Sequence, residues 1–239
     1  EEYPFLPVQE IVEEGKRNEA AGVHRYSIVT AGRGIHGREL DHALEAYRRL
    51  REETGLGLCA SHGLQTREEF QAMKEAGVTR YHANLETSRR NFPNICTTHT
   101  YEDKLENIRR AKEAGLEVCS GGILGMGETW EDRIDMALDL WELGVVSIPL
   151  NLLTPIPGTP LAQQPLLKDD EVCRSVAIFR LLNPTAWIRM AAGRRRFADG
   201  GKLLFRCGAN AAITGDMLTT TGTGIAEDRT MFAQLGYQI

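Results

Sequence analysis

The 239 residues predict an α/β fold, a (β/α)8 TIM-type barrel lacking its first strand. Three observations carry that expectation. Amphipathic helical segments alternate with short apolar strands from one end of the chain to the other, the pattern of a parallel sheet covered on both faces. Most helical segments stop at a glycine, which takes the left-handed C-cap conformation at little cost. Seven strands can be counted, where a closed barrel needs eight and about 250 residues, so one unit is expected to be missing in front. A doubly wound open sheet is the alternative. No linker, domain boundary or low-complexity stretch interrupts the pattern, so residues 1–239 are expected to form a single barrel domain.

Taken in order, helical spacing over 7–20 ends at Ala21-Gly22 and is followed by the strand Tyr26–Val29. A helix over 39–53 leads through Gly55 to the strand Leu56–Cys59. One over 66–75 leads through Gly77 to the strand Tyr81–Leu85, and one over 101–113 leads through Gly115 to Leu116–Cys119. The stretch Glu117–Glu128 reads as a strand running into a glycine-rich turn, with a helix opening at Thr129. Such a turn is either a ligand cradle or an ordinary tight turn. Helix 130–142 then precedes a strand over 145–153, and helix 169–182 precedes the strand Trp187–Met190. A short strand Ala211–Thr214 and a helix near 226–235 close the chain.

Composition narrows the function. A 42% apolar and 26% charged chain with net charge −5 describes a globular protein with a real core and gives no reason to expect nucleic acid as a partner. No apolar run approaches the ~18 residues of a membrane span, so no membrane partner is expected and a cytoplasmic or organelle-matrix location is the default. The chain opens Glu1-Glu2-Tyr3 without methionine, and the N-terminus is expected to be cut, processed or incomplete. Five scattered cysteines, with no tight ligand spacing, argue against a disulfide framework and leave buried thiols or metal ligands gathered by the fold.

Barrels place functional groups at the carboxyl ends of strands and in the loops that follow. That rule selects Ser27, Cys59, Asn84, Glu86, Cys119, Asn151 and Arg189. A single strand cysteine is ordinary core; two on different strands beside buried polar groups can equally converge on one interior site. Cys96 lies in a loop before a threonine-rich helix start, with His99 as a loop hydrogen-bonding residue. Cys173 reads as helix packing, Cys207 as structural, and Arg194-Arg195-Arg196 as a solvated patch. Glu86 and Glu128 can serve as acid–base groups, or a strand-end carboxylate can grip a ribose diol.

The chain resembles the biotin synthase family of radical S-adenosylmethionine (radical SAM) enzymes over essentially its whole length. The resemblance rests on Tyr81-His82-Ala83-Asn84-Leu85-Glu86-Thr87-Ser88, Cys96-Thr97-Thr98-His99-Thr100-Tyr101, Val118-Cys119-Ser120-Gly121-Gly122 through Glu128-Thr129, Asn151 with Pro157-Gly158-Thr159-Pro160-Leu161, and Gly208-Ala209-Asn210 with Thr219-Thr220-Thr221. It implies a sulfurtransferase that inserts sulfur into dethiobiotin, with SAM, a [4Fe–4S] cluster and an auxiliary iron–sulfur cluster as cofactors. It also implies a homodimer served by an electron donor such as flavodoxin or ferredoxin. On this resemblance Cys59, Cys119 and Arg189 are auxiliary-cluster ligands, and Asn84 and Asn151 hold the ureido ring of dethiobiotin. Glu86 holds the SAM ribose, Lys104 lies near the SAM carboxylate, and Gly121, Ile123, Gly125 and Glu128 line SAM. The amides of Thr219 and Thr220 receive the dethiobiotin carboxylate.

Two departures qualify the resemblance. The CxxxCxxC loop that binds the SAM cluster is absent, so the chain as it stands is not expected to generate the radical. Ser27 stands where many members of the family have a third auxiliary-cluster cysteine, and Cys96 is an additional thiol. The expectation is therefore a set of Cys59, Cys96 and Cys119, with Arg189 and Ser27 as further candidates, around a cluster that is either [2Fe–2S] or larger. Alternatives are a radical SAM enzyme of the hydrogenase-maturation or methylornithine type, or an inactive remnant that only binds.

Overall fold

A computed structural model of the chain describes residues 4–215 and 223–237. Its elements run α1 (Val8–Ala20), β1 (Arg25–Val29), α2 (Gly37–Glu53), β2 (Gly57–Ser61), α3 (Arg67–Glu75), β3 (Val78–His82), α4 (Phe92–Ile95), α5 (Tyr101–Glu113) and β4 (Glu117–Cys119). Then come β5 (Gly122–Leu124), α6 (Trp130–Glu142), β6 (Ser147–Leu152), α7 (Asp169–Leu182), β7 (Trp187–Met190), a 3-10 turn (Arg194–Arg196), α8 (Lys202–Arg206), β8 (Ala211–Ala212) and α9 (Ile225–Gln234). The chain divides into two compact units, Glu1–Ala83 with Glu102–Val118, and Asn84–Tyr101 with Cys119–Ile239.

In the first unit β1, β2 and β3 pair in parallel, with Ser27 opposite Cys59 and Ile28 opposite Ala60. The β2–β3 pairing slips by one residue: Leu58 faces Val78 but Cys59 faces Arg80, so Thr79 is passed over. Such a bulge bends a strand and re-aims the side chains beside it. Apolar faces of the helices cover the strands through Tyr47, Leu50, Phe70 and Met73, all fully buried. Thr66 and Glu69 close a capping box on α3, which fixes where that helix begins.

In the second unit Cys119 pairs with Ser147, β5 and β7 pair with β6, and β8 pairs with β7, all in parallel. Thr129 and Asp132 form a capping box on α6, and Ser88 and Arg90 also bind the Asp132 carboxylate at 2.6 and 3.0 Å. The strand expected at Tyr81–Leu85 lies three residues earlier, at Val78–His82. Val78, Arg80 and Tyr81 are buried there, whereas residues from Ala83 leave the sheet to form a loop. The single strand-and-turn expected over 117–128 contains an additional strand, β5, which pairs Gly122, Ile123 and Leu124 with Leu150, Asn151 and Leu152.

The arginine run is a solvated patch only at Arg195, which is exposed; Arg194 and Arg196 turn inward. Arg194 is 2% exposed and donates two bonds from Nη2 to the Asp228 carboxylate, at 2.6 and 2.7 Å, which ties the 3-10 turn to α9. Arg196 donates to the carbonyl of Leu167 at 2.7 Å. A run of like charges reads as solvent-facing only until the fold supplies a buried carboxylate 34 residues away. Asp228→Ala would strand a buried guanidinium, and we expect it to cost about 3 kcal/mol or more of unfolding free energy, read from the urea midpoint.

Candidate functional site

The candidate residues gather into two clusters, one in each unit. In the first, Ser27 on β1 and Cys59 on β2 are register partners and so project from the same face of adjacent strands. Cys59 is 3% exposed. The Ser27 hydroxyl is buried and has no hydrogen-bond partner among the described residues. A polar atom left that way normally costs one to three kcal/mol, roughly, unless a ligand engages it. Around the carboxyl end of β2 lies a closed network. The Tyr47 hydroxyl donates to the Cys59 carbonyl at 3.2 Å and lies 2.8 Å from His62 Nε2, while Thr30 Oγ1 lies 3.0 Å from His62 Nδ1. With the Tyr47 proton given to Cys59, Nε2 carries the imidazole proton and Nδ1 accepts from Thr30. Burial lowers the His62 pKa to about 4, so the ring is neutral at neutral pH. Lys104 is half-buried in the first turn of α5.

The second cluster is built around Gly121 and Gly122. A Cβ on Gly121 would meet the Pro149 carbonyl oxygen, and one on Gly122 would meet the Glu86 carbonyl oxygen. These glycines are therefore required by backbone packed on backbone. Into that space comes the loop after β3. The amide of Glu86 donates to the Gly121 carbonyl at 3.1 Å, and the amide of Ile123 donates to the Glu86 carbonyl at 2.8 Å. Glu86 has φ +72°, the only non-glycine residue in the left-handed region among the described residues. An L-residue there costs about 1–2 kcal/mol, and such outliers concentrate at functional sites. The two asparagines clasp the same dipeptide: Asn84 Oδ1 accepts from the Gly121 amide at 3.2 Å, and Asn151 Nδ2 donates to the Gly122 carbonyl at 3.4 Å. Asn151 Oδ1 also accepts from the Ala192 amide at 3.2 Å.

Glu128 is not free for acid–base work. Its carboxylate accepts from the amides of Gly125 and Met126, at 2.8 and 2.7 Å, and from Arg133 Nε at 2.9 Å, with both side chains almost wholly buried. It shapes the turn in which Gly125 and Gly127 take positive φ, and half-buried Ile123 lies just before it. On β4, β6 and β7, the Ser147 hydroxyl lies 3.1 Å from Cys119 Sγ and accepts from Arg189 Nε at 2.7 Å. Because the guanidinium only donates, the serine proton is available to the sulfur, an arrangement that suits a thiolate. Sequence reasoning missed Ser147, although its place two steps of two before Asn151 put both on one face of β6.

Cys96 follows the short helix α4, and its thiol lies 3.4 Å from both His99 Nδ1 and Thr98 Oγ1. Close by in sequence, Asn94 and Ile95 line a groove of about 260 Å³ with Leu153, Ile156 and Pro160. No three His, Cys, Asp or Glu side chains gather into a metal group among the described residues. Thr219 and Thr220 lie outside the described residues.

Residues 1–140 match the radical SAM superfamily, and residues 149–238 match the biotin and thiamin synthesis associated domain. The biotin synthase of Clostridium beijerinckii is 57% identical over 237 residues, covering 99% of this chain and 75% of that one. The biotin synthase of Alkaliphilus metalliredigens is 56% identical over 239 residues, with 100% and 75% covered. A solved methylornithine synthase superposes with TM-score 0.84 at 20% identity, covering 100% of this chain and 75% of that one, and shows that the α/β, TIM-type fold is shared. The chain is thus a radical SAM protein, of a superfamily that works through SAM and iron–sulfur chemistry. Within it, the chain belongs to the biotin synthase family, a family of sulfurtransferases.

The two implied clusters fare differently against these residues. No CxxxCxxC spacing occurs among the five cysteines, so none of these residues is assigned to the SAM [4Fe–4S] cluster. Within each unit the donors have the chemistry an auxiliary cluster takes: in the first, the buried Cys59 thiol with the unpartnered Ser27 hydroxyl opposite it, and in the second, the buried Cys119 thiol with Ser147 between it and Arg189.

Two expected outcomes follow. Gly121→Ala should cost about 3 kcal/mol, read by thermal unfolding, because the clash is with backbone that cannot step aside. Acidification supplies the second. His62 binds its proton near pH 4 when folded and near pH 6.5 when unfolded, so the unfolded state holds more protons in between. Stability should be fully present above about pH 6.5 and fall by about 3 kcal/mol as pH drops through about 4. His62→Gln should flatten that limb of a denaturation-versus-pH series.

Proposed function

We propose that the chain is the catalytic core of a biotin synthase that inserts sulfur into dethiobiotin, working as one barrel domain over residues 1–239. When bound, SAM would supply the hydrogen-abstracting chemistry and an auxiliary iron–sulfur cluster would supply the sulfur. The observation that carries this reading is the Cys119–Ser147–Arg189 relay: a buried thiol and a guanidinium held together by one hydroxyl, on three adjacent strands.

The chain's own residues would divide the work. Cys59, Cys119 and Arg189 hold the auxiliary cluster, with Ser27 and the extra thiol of Cys96 as further ligand candidates. Asn84 and Asn151 already have their side-chain planes fixed by Gly121 and Gly122, so each can offer its remaining amide valences to the ureido ring without first being ordered. Glu86, fixed by two backbone bonds, holds the SAM ribose with its carboxylate, and Lys104 lies near the SAM carboxylate. Gly121, Ile123 and Gly125 contribute backbone to the SAM wall. Glu128 supports that wall from behind through the Gly125 and Met126 amides. The amides of Thr219 and Thr220 receive the dethiobiotin carboxylate. Cys59 and Cys119 are each buried, which would keep water from a cluster bound at either thiol. The working enzyme is a cytoplasmic homodimer reduced by a flavodoxin or ferredoxin.

Anaerobic reconstitution followed by iron and sulfide counting tests the reading directly. The wild-type protein should take up an auxiliary cluster, and Cys119→Ala should lose most of that iron together with any biotin formation. Ser147→Ala should keep the fold yet bind iron about tenfold more weakly. A Cys119→Ala protein with unchanged iron and sulfide would exclude Cys119 as a ligand and remove the proposal's main support. A Cys96→Ala protein with unchanged iron would exclude Cys96 alone.

A further inference from the structure

Beyond the ligands themselves, we propose that Tyr47 and His62 are positioning residues for Cys59. Their buried hydrogen-bond chain fixes β2 from its bulge to its carboxyl end, so that the Cys59 thiol is presented to the auxiliary cluster on the face it shares with Ser27. The inference rests on the reading of Cys59 as a ligand.

The bulge creates the need. Between Leu58 and Cys59 the β2–β3 register passes over Thr79, and a bulge leaves ladder groups to be satisfied by other means. Two hydroxyls do this here: Thr79 Oγ1 donates to the Leu58 carbonyl at 3.1 Å, and the Tyr47 hydroxyl donates to the Cys59 carbonyl at 3.2 Å. The β1 side is unbroken, with Ser27 opposite Cys59 and Ala60 opposite Ile28. The carbonyl that Tyr47 grips therefore belongs to the residue whose side chain the bulge re-aims.

Tyr47 is itself immobilised. It is fully buried on α2, and packing alone would be served by phenylalanine. Its hydroxyl is the part that needs explaining, and it lies between the Cys59 carbonyl and His62. His62 is in turn held at three points. Tyr47 and Thr30 flank its ring nitrogens at 2.8 and 3.0 Å, and its amide donates to the Tyr81 hydroxyl at 3.1 Å. Tyr81 donates onward to the Gly63 carbonyl at 2.8 Å and stacks edge-on against Phe70. The segment from Cys59 to Gly63 is thus held at the Cys59 carbonyl, the His62 ring and amide and the Gly63 carbonyl. Outer partners of this kind govern the metal affinity of the ligands they orient.

The test compares Tyr47→Phe with wild type after anaerobic reconstitution, reading the auxiliary-cluster absorption spectrum and the rate of iron loss to a chelator. Tyr101→Phe is the control, since it removes another largely buried tyrosine hydroxyl, bonded to Asp139 at 2.6 Å, far from Cys59 in sequence. Tyr47→Phe should fold, shift the spectrum and release iron about tenfold faster or more, while Tyr101→Phe should lose comparable thermal stability and release iron at the wild-type rate. Should Tyr47→Phe not fold, His62→Gln and His62→Leu decide the matter: glutamine, which keeps a donor and an acceptor, should hold iron nearly as wild type does, and leucine should not. Wild-type spectra and release rates in Tyr47→Phe, with cluster loss in Cys59→Ala, would overturn the positioning role and leave Cys59 a ligand. An intact cluster in Cys59→Ala would overturn both.

Discussion

The second unit depends on a close approach of backbone to backbone at Gly121 and Gly122. With no side chain at either position, β5 lies directly against the Glu86 loop on one side and the Pro149 carbonyl on the other. The hydrogen bonds of Glu86, the clasp of Asn84 and Asn151, and the pairing of β5 with β6 all follow from that contact. It also explains why Glu86 tolerates a left-handed backbone. Its amide and carbonyl are both committed to neighbours, and the loop cannot relax without giving up those bonds. The strain is therefore stored at a residue whose backbone is held on both sides.

Much of the fold is legible in the sequence because helix ends announce themselves. The spans 130–142, 169–182 and 187–190 are read from periodicity, and the structure places α6, α7 and β7 at those positions. Thr129 with Asp132 supplies a capping box that propensity alone would suggest. What is not legible depends on partners distant in sequence. The strand β5 is three residues long and exists only because β6 lies beside it. The buried state of Arg194 depends on Asp228, and no local pattern connects them. β3 was expected too far along because Leu85 extends the apolar run, although the chain has already turned into the Glu86 loop.

The site divides in the same way. Strand-end position picks out Cys59, Cys119, Asn84, Asn151 and Arg189, and the structure orders each pair of neighbours through one intermediary. For the asparagines it is the Gly121–Gly122 dipeptide, and for Cys119 and Arg189 it is Ser147. Serine in an apolar strand carries little signal, since a small hydroxyl side chain is common in cores. Its significance appears only when a donor-only guanidinium and a sulfur are found on either side of it.

Ser27 brings these arguments together. A hydroxyl at this position is a harder ligand than a thiolate, and its presence beside Cys59 leaves a buried oxygen unsatisfied by protein. The surrounding network does nothing to relieve it: Thr30 turns to His62, Tyr47 turns to the Cys59 carbonyl, and no described group reaches the serine. A fold that satisfies its bulge with two hydroxyls and both nitrogens of a buried histidine does not lack the means to satisfy one serine. The open valence on β1 and the re-aimed thiol on β2 lie side by side, and they are the two donors that the proposed auxiliary cluster would meet on that face.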